Sequence, residues 1–118
     1  MIMEGGRNMS EIYDLVVIGS GPGGHIAAIN AAKFGMKVVI IEKDVLGGVC
    51  LNVGCIPSKA LIKQAEYFTC IPKLEAIGVS VDLTRLEYQL VHEKSRQAVE
   101  KLAKGLAFHL KKSGVEVI

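Results

Sequence analysis

Cys50 and Cys55 stand five residues apart in the stretch Gly48-Val49-Cys50-Leu51-Asn52-Val53-Gly54-Cys55-Ile56-Pro57-Ser58-Lys59. Two thiols this close can exchange with a disulfide, share a metal or sit reduced in a core. Five residues of regular helix rise about 7.5 Å, whereas bridged Cα atoms lie about 4.4–6.8 Å apart. A bridge here therefore demands a distorted turn. Gly54, free to take φ > 0, and Asn52, more tolerant of the left-handed region than most residues, could supply it, with a regular helix only after Pro57. Such a bridge would be one that opens and closes. The alternatives are two reduced thiols or half of a zinc site. Zinc needs two further ligands, and Cys70, His25, His92 and His109 show no metal spacing.

A second group of residues suits an anion rather than a thiol. The apolar, β-branched run Tyr13–Ile18 reads as a buried parallel strand, and Gly19-Ser20-Gly21-Pro22-Gly23-Gly24 follows it directly. Gly19 would permit a tight turn, Gly21 would let backbone approach a pyrophosphate, and Gly24 would let the next helix lie close to the strand. Pro22 fits a first helical turn, where its missing N–H costs nothing. Glu42 ends a second apolar strand, Lys37–Ile41, 18 residues beyond Gly24. A dinucleotide site places there the carboxylate that accepts hydrogen bonds from a ribose. The bland reading is a tight turn and a solvated strand-end acid.

These residues must be held by an αβ framework. Ala27, Ala28, Ala31 and Ala32 suit a helix pressed on a sheet from His25 to Lys33, closed at Gly35. Leu61, Ile62, Ala65 and Phe68 mark a helix over Ser58–Thr69, and Gly78 and Asp82 a loop and an N-cap. Thr84–Lys112 reads as one long helix with Leu83, Leu86, Leu90, Val99, Leu102, Leu106 and Leu110 on a stripe, closed by Ser113-Gly114. Val115–Ile118 opens a third strand. Cys70 is expected to be a buried, inert thiol, and the three histidines to have surface or packing roles.

Composition narrows the classes. With 14 Lys+Arg against 12 Asp+Glu in 118 residues, the net charge of +2 is too small for a nucleic-acid footprint. Half of the residues are apolar, which suits strands buried on both faces. No apolar run approaches the roughly 18 residues of a membrane span. Residues 1–10 lack a signal or transit pattern and read as a disordered tail, and three cysteines without a secretory signal suit a cytoplasmic protein.

From Tyr13 to Ile118 the sequence resembles the N-terminal part of the flavin-dependent pyridine nucleotide–disulfide oxidoreductases. The motif Gly47–Leu61, Gly-Gly-Val-Cys-Leu-Asn-Val-Gly-Cys-Ile-Pro-Ser-Lys-Ala-Leu, carries the likeness. Leu51, Ile56 and Ser58-Lys59-Ala60-Leu61 favour the lipoamide branch over the glutathione and mercuric branches. Val49, where threonine is common, leaves the branch intact.

The resemblance implies an α/β class: a Rossmann-like FAD-binding fold with a parallel sheet, incomplete in this chain, with residues 11–118 as part of the FAD-binding domain. It implies FAD at Gly19, Ser20, Gly21, Pro22 and Gly24, with Glu42 on the ribose and Lys43, Gly48, Val49 and Lys59 lining the cofactor. A cation at Lys59 would stabilise negative charge on reduced flavin. Cys50 would be the interchange thiol and Cys55 the flavin-facing one, with electrons passing on to NAD. The substrate implied is dihydrolipoamide on the carrier domain of a 2-oxo acid dehydrogenase complex, and the parent would be a homodimer. The domain that binds NAD and the interface domain are not in this chain, so it is expected to be an N-terminal fragment without turnover of its own. The alternatives are a glutathione- or mercuric-type reductase and a flavin-binding module without catalysis.

If the two thiols are a redox pair, they change state together. Alkylation with and without reductant, read by peptide mass, should show Cys50 and Cys55 blocked and released as one. Independent labelling of the two in oxidised protein would refute the pairing.

Overall fold

A computed structural model describes residues 11–118; the expected tail at 1–10 lies outside the described residues. Strand β1 (Leu15–Ile18) leads through helix α1 (Pro22–Lys33) to strand β2 (Val38–Ile41). Helices α2 (Gly48–Asn52), α3 (Cys55–Glu75) and α4 (Tyr88–Lys112) follow, and strand β3 (Glu116–Val117) comes last. The three strands are parallel in the order β1-β2-β3. This is the small parallel sheet with crossover helices expected of an incomplete Rossmann-like fold.

The central strand carries the core. Val38, Val39 and Ile40 are all buried, as a strand covered on both faces requires. Val38 and Ile40, two apart and so on one face, cluster with Ala28 of α1, Leu110 of α4 and Val115. Alanine at position 28 keeps α1 close to the sheet.

Both leading strands are shorter than their apolar runs. The Asp14 carboxylate takes the Lys37 amide at 2.7 Å, so regular pairing starts one residue later, at Leu15↔Val38. At the far end the ladder outlasts β3. The Ile118 amide donates to the Ile40 carbonyl at 2.9 Å, and the Glu42 amide donates to the Ile118 carbonyl at 2.8 Å. The site acid therefore has its backbone fixed by the third strand.

The helices depart from expectation at their starts. α3 begins at Cys55 rather than after Pro57 and runs on to Glu75. Pro57 is its third residue, and the first four amides of a helix have no internal partner to lose. α4 begins at Tyr88, not Thr84. Asp82 Oδ1 accepts the Thr84 amide at 2.8 Å and its hydroxyl at 2.7 Å, which holds this segment as a turn rather than capping a helix. Leu83 and Leu86 thus fall outside the helix and are exposed, as are Leu90 and Leu102, while Val99 and Leu110 are buried. The C-terminal signals hold. At the end of α1, Gly35 at φ 84° donates to Ala32 and Met36 to Ala31. At the end of α4, Gly114 and Val115 repeat this pattern on Lys111 and Leu110, which satisfies the last carbonyls of both helices.

The glycine loop is dictated by crowding at its exit. A Cβ at Gly24 would stand 2.0 Å from the Gly19 carbonyl oxygen and 3.3 Å from Val17 Cγ1, whereas one at Gly23 would meet nothing within 4 Å. Gly24→Ala is expected to cost about 1–3 kcal/mol in urea unfolding, as overpacking against backbone does, and Gly23→Ala to stay within about 0.5 kcal/mol. Equal effects of the two would refute the close approach of α1 to β1.

Candidate functional site

The Ser20 hydroxyl joins three segments. The residue is fully buried. Its Oγ donates to Glu42 Oε2 at 2.6 Å, and its backbone amide donates to the same oxygen at 2.9 Å. The Gly47 amide in turn donates to Ser20 Oγ at 2.9 Å. The glycine loop, the end of β2 and the entrance to the cysteine turn are thus one hydrogen-bonded unit. Glu42 spends Oε2 on this lock, and Oε1 accepts the Asp44 amide at 3.2 Å, a long bond that leaves it acceptor capacity for a hydroxyl ligand. The Ser20 side-chain bond, then its backbone bond, holds the Glu42 carboxyl below the usual carboxylate range.

The loop around Gly21 leaves room for an anion. No side chain caps α1, and its first turn holds no acid. A Cβ at Gly21 or Gly23 would meet nothing within 4 Å. The early amides of a helix lack internal partners and favour negative charge. A phosphate approaching here meets free donors and open space.

The cysteine turn packs directly on this loop. Gly48, at φ 63°, brings its backbone so close to Gly21 that a Cβ would lie 3.0 Å from the Gly21 Cα. Cys50 belongs to α2 and Cys55 opens α3, and the chain breaks between them at Val53 and Gly54. The two cysteines are bridged, with Cα atoms 4.7 Å apart. The distortion is a helix break. Neither Gly54 nor Asn52 takes a positive φ, contrary to expectation. Gly54 is needed for space, since a Cβ there would lie 3.0 Å from the Val49 carbonyl oxygen and 3.3 Å from the Cys50 Cα. Among the described residues no cluster of three or more His, Cys, Asp or Glu could hold a metal.

The remaining residues fall in place around the bridge. Lys59, four residues after Cys55, shares its face of α3 and is exposed. Lys43 and Val49 are also exposed, and Pro22 heads α1. Cys50 is half-buried beside a cavity of about 240 Å³ lined by Pro22, His25, Ile56, Leu102 and Leu106. Cys55 is the more exposed of the pair. His25 Nδ1 lies 3.0 Å from the Ser20 carbonyl, a packing role, while His92 and His109 are exposed on α4. Cys70 is exposed rather than buried, because α3 has no fully buried residue over its length.

Sequence reasoning missed the side chains that brace the turn. Asn52 Nδ2 donates to the Leu46 and Gly48 carbonyls, both at 2.9 Å. Arg96 Nη1 donates to the Asn52 carbonyl at 2.8 Å, and Ser95 Oγ to the Pro57 carbonyl at 3.1 Å. The signal available for Asn52 was an amide with two donors inside a glycine-rich loop. Ser95 and Arg96 are far away in sequence and gave none.

A family model described as pyridine nucleotide-disulphide oxidoreductase matches residues 13–118. The chain is 46% identical over 116 residues to the dihydrolipoyl dehydrogenase of Chlorobaculum tepidum, covering 98% of this chain and 25% of that protein. It is 43% identical over 110 residues to that of Acholeplasma laidlawii, with coverage of 92% and 33%. For the Bacillus subtilis protein the identity is 40% over 109 residues, with coverage of 92% and 23%. The chain therefore spans between a quarter and a third of the length of the first two relatives, and slightly less of the third.

The Ser20–Glu42 bond makes a pH prediction. Because the folded carboxyl titrates below its ordinary 4.5, its contribution to stability is present above that value and is lost as pH falls through the lower folded one. Carbon-detected NMR titration should place the Glu42 midpoint below 4.5. In Ser20→Ala the midpoint should move up toward that value, because the larger of the lowering bonds is gone. Identical midpoints in the two proteins would refute the assignment.

Proposed function

The chain belongs to the pyridine nucleotide-disulphide oxidoreductase family, and from that premise we propose that it is the flavin-holding, disulfide-bearing portion of a dihydrolipoyl dehydrogenase. The observation that carries the reading is the contact of Gly48 with Gly21, backed by the Gly47–Ser20 bond. Through it, a loop suited to a pyrophosphate and a bridged cysteine pair belong to one body. Relatives that match over 92–98% of this chain carry that enzyme's name.

In this reading the amides at the head of α1 bind the FAD pyrophosphate and Glu42 Oε1 accepts a ribose hydroxyl. Lys43, Gly48 and Val49 line the cofactor, and the Lys59 ammonium, on the Cys55 face of α3, stabilises negative charge beside the bridge. FAD, when bound, supplies a two-electron acceptor for the dithiol and a donor to NAD. NAD itself would bind on polypeptide beyond this chain.

The chain's own chemistry is thiol exchange. A thiolate of dihydrolipoamide attacks Cys50 Sγ, forming a mixed disulfide and releasing Cys55 as a thiolate. The second substrate thiol then attacks the substrate sulfur, closing the lipoyl disulfide and releasing Cys50. Two electrons have moved from substrate to the protein dithiol. The carrier of that substrate would be a domain of a 2-oxo acid dehydrogenase complex, and the working enzyme a homodimer in the cytoplasm.

By itself the chain is expected to hold FAD weakly and to show no dihydrolipoamide–NAD turnover. Among the described residues β1 is hydrogen-bonded to β2 alone, and its Val16 and Ile18, on one face of the strand, are 50% and 87% exposed, so that this edge strand offers both unpaired backbone and apolar surface for further polypeptide to cover. FAD titration followed by flavin fluorescence tests the site. Glu42→Ala should lose one or two charge-assisted hydrogen bonds, on the order of 1.5–3 kcal/mol each, with Glu42→Gln as the variant that keeps Ser20 partnered. Saturable binding that is equal in wild type and both variants would confine Glu42 to the internal lock, and no flavin binding at any concentration would overturn the reading.

A further inference from the structure

Two consecutive residues of α4 grip the redox turn on opposite sides of its break. Arg96 Nη1 donates to the carbonyl of Asn52, the last residue of α2, at 2.8 Å. The Ser95 hydroxyl, from a residue 1% exposed, donates at 3.1 Å to the carbonyl of Pro57 in the first turn of α3. Asn52 lies two residues after Cys50 and Pro57 two residues after Cys55, so each half of the turn has its own tether to one rigid helix. The Asn52 carbonyl is one of those that a helix end leaves without an internal partner. A guanidinium is a strong, directional donor for it.

The tethers matter most when the bridge is open. In the oxidised chain, the Cys50–Cys55 bond fixes α2 against α3. In the dithiol, only Val53-Gly54 joins them covalently, and α3 has no buried residue; its other side-chain tie to α4, Gln64 Nε2 to the Val91 carbonyl at 3.0 Å, lies more than two turns from Cys55. We propose that Arg96 and Ser95 are positioning residues for the dithiol–disulfide couple: by fixing α2 and α3 to α4, they keep the two sulfurs within bonding reach after reduction. The proposal deepens the functional reading above and rests on its claim that the pair cycles.

The quantity affected is the equilibrium in which the protein dithiol and glutathione disulfide become the protein disulfide and two glutathione thiols. The Cys50–Cys55 bond forms, the glutathione bond breaks, and two electrons and two protons pass to the glutathione sulfurs. Its equilibrium constant measures how concentrated each protein thiol is in the presence of the other, which is what pre-organisation raises. Arg96→Met removes the donor and retains length. It should lower that constant about three- to tenfold, as loss of a hydrogen bond from a charged donor would. Ser95→Ala should lower it in the same direction, and Arg96→Lys, which keeps one donor, should recover part of the loss. Lys101→Met, an exposed charge on the same helix, should leave it unchanged.

The measurement is equilibration of the protein in glutathione buffers of graded ratio, acid quenching, alkylation and mass analysis of the peptides that carry Cys50 and Cys55. An unchanged constant in Arg96→Met would overturn the proposal. A raised constant would overturn it too, since the guanidinium would then be acting by stabilising the thiolate. Arg96 is only half-buried, so its variants remain informative even where Ser95→Ala, at a buried site, fails to fold. Should wild type close no bridge at any ratio, the functional reading falls first, an outcome distinct from a bridge that closes equally well in every variant.

Discussion

A buried hydroxyl needs a hydrogen-bond partner inside the protein, and Ser20 has both an acceptor and a donor, in a way that decides the rest of the site. Its proton goes to Glu42 and its lone pair receives the Gly47 amide. Two of these three residues belong to the expected nucleotide site and the third leads into the cysteine turn. An ionised acceptor strengthens the bond, which the lowered titration of Glu42 reflects. The acid therefore works as a lock through one oxygen while its other oxygen takes the long bond from the Asp44 amide.

That lock is only as firm as the sheet beneath it. Glu42 follows β2 directly, and the Ile118 carbonyl holds its amide. Gly19 donates to the Ile41 carbonyl at 2.8 Å, so the ends of β1 and β2 cannot splay. The Tyr13 hydroxyl reaches both Glu11 and Glu116 at the opposite end, and Lys37 sits 4.9 Å over the Tyr13 ring. Polar contacts thus bracket a sheet whose middle is held by Val38 and Ile40 in the core.

The site was legible in the sequence wherever the constraint was local. Pro22, Gly24 and Gly35 each have one stereochemical use, and the strand–loop–helix that they punctuate stands as read. The cysteine spacing implied a break in regular helix, and the break is present. Its means were misjudged, because Gly54 takes no positive φ and is instead required by the Val49 carbonyl and the Cys50 backbone pressing on it. The helix starts at Cys55 and Tyr88 were missed for a related reason. A proline in a first turn looks like a boundary, and Asp82 followed by Thr84 looks like a cap, but the first costs no hydrogen bond and the second closes a turn on itself. The leucine stripe of α4 was read too far toward its N-terminus, and Leu90 and Leu102 within the helix are exposed, since a periodic pattern does not say how much of it meets a partner. Contacts such as Arg96 to Asn52 lie 44 residues apart, and no short-range signal encodes them.

The distribution of burial explains why the turn needs those distant contacts. The sheet end has a packed cluster, whereas Ile62, Tyr67, Phe68 and Leu74 along α3 are exposed by 38–62%. Segments with few buried apolar contacts open at low free-energy cost, and the redox turn lies at the root of such a helix. Apolar packing could have fixed it, but a packed turn would have to be repacked each time the bridge opened. Hydrogen bonds from Asn52, Ser95 and Arg96 to backbone carbonyls restrain the main chain without enclosing the sulfurs. On the proposed reading, such bonds would leave the sulfurs able to react while the backbone that brings them together stays put.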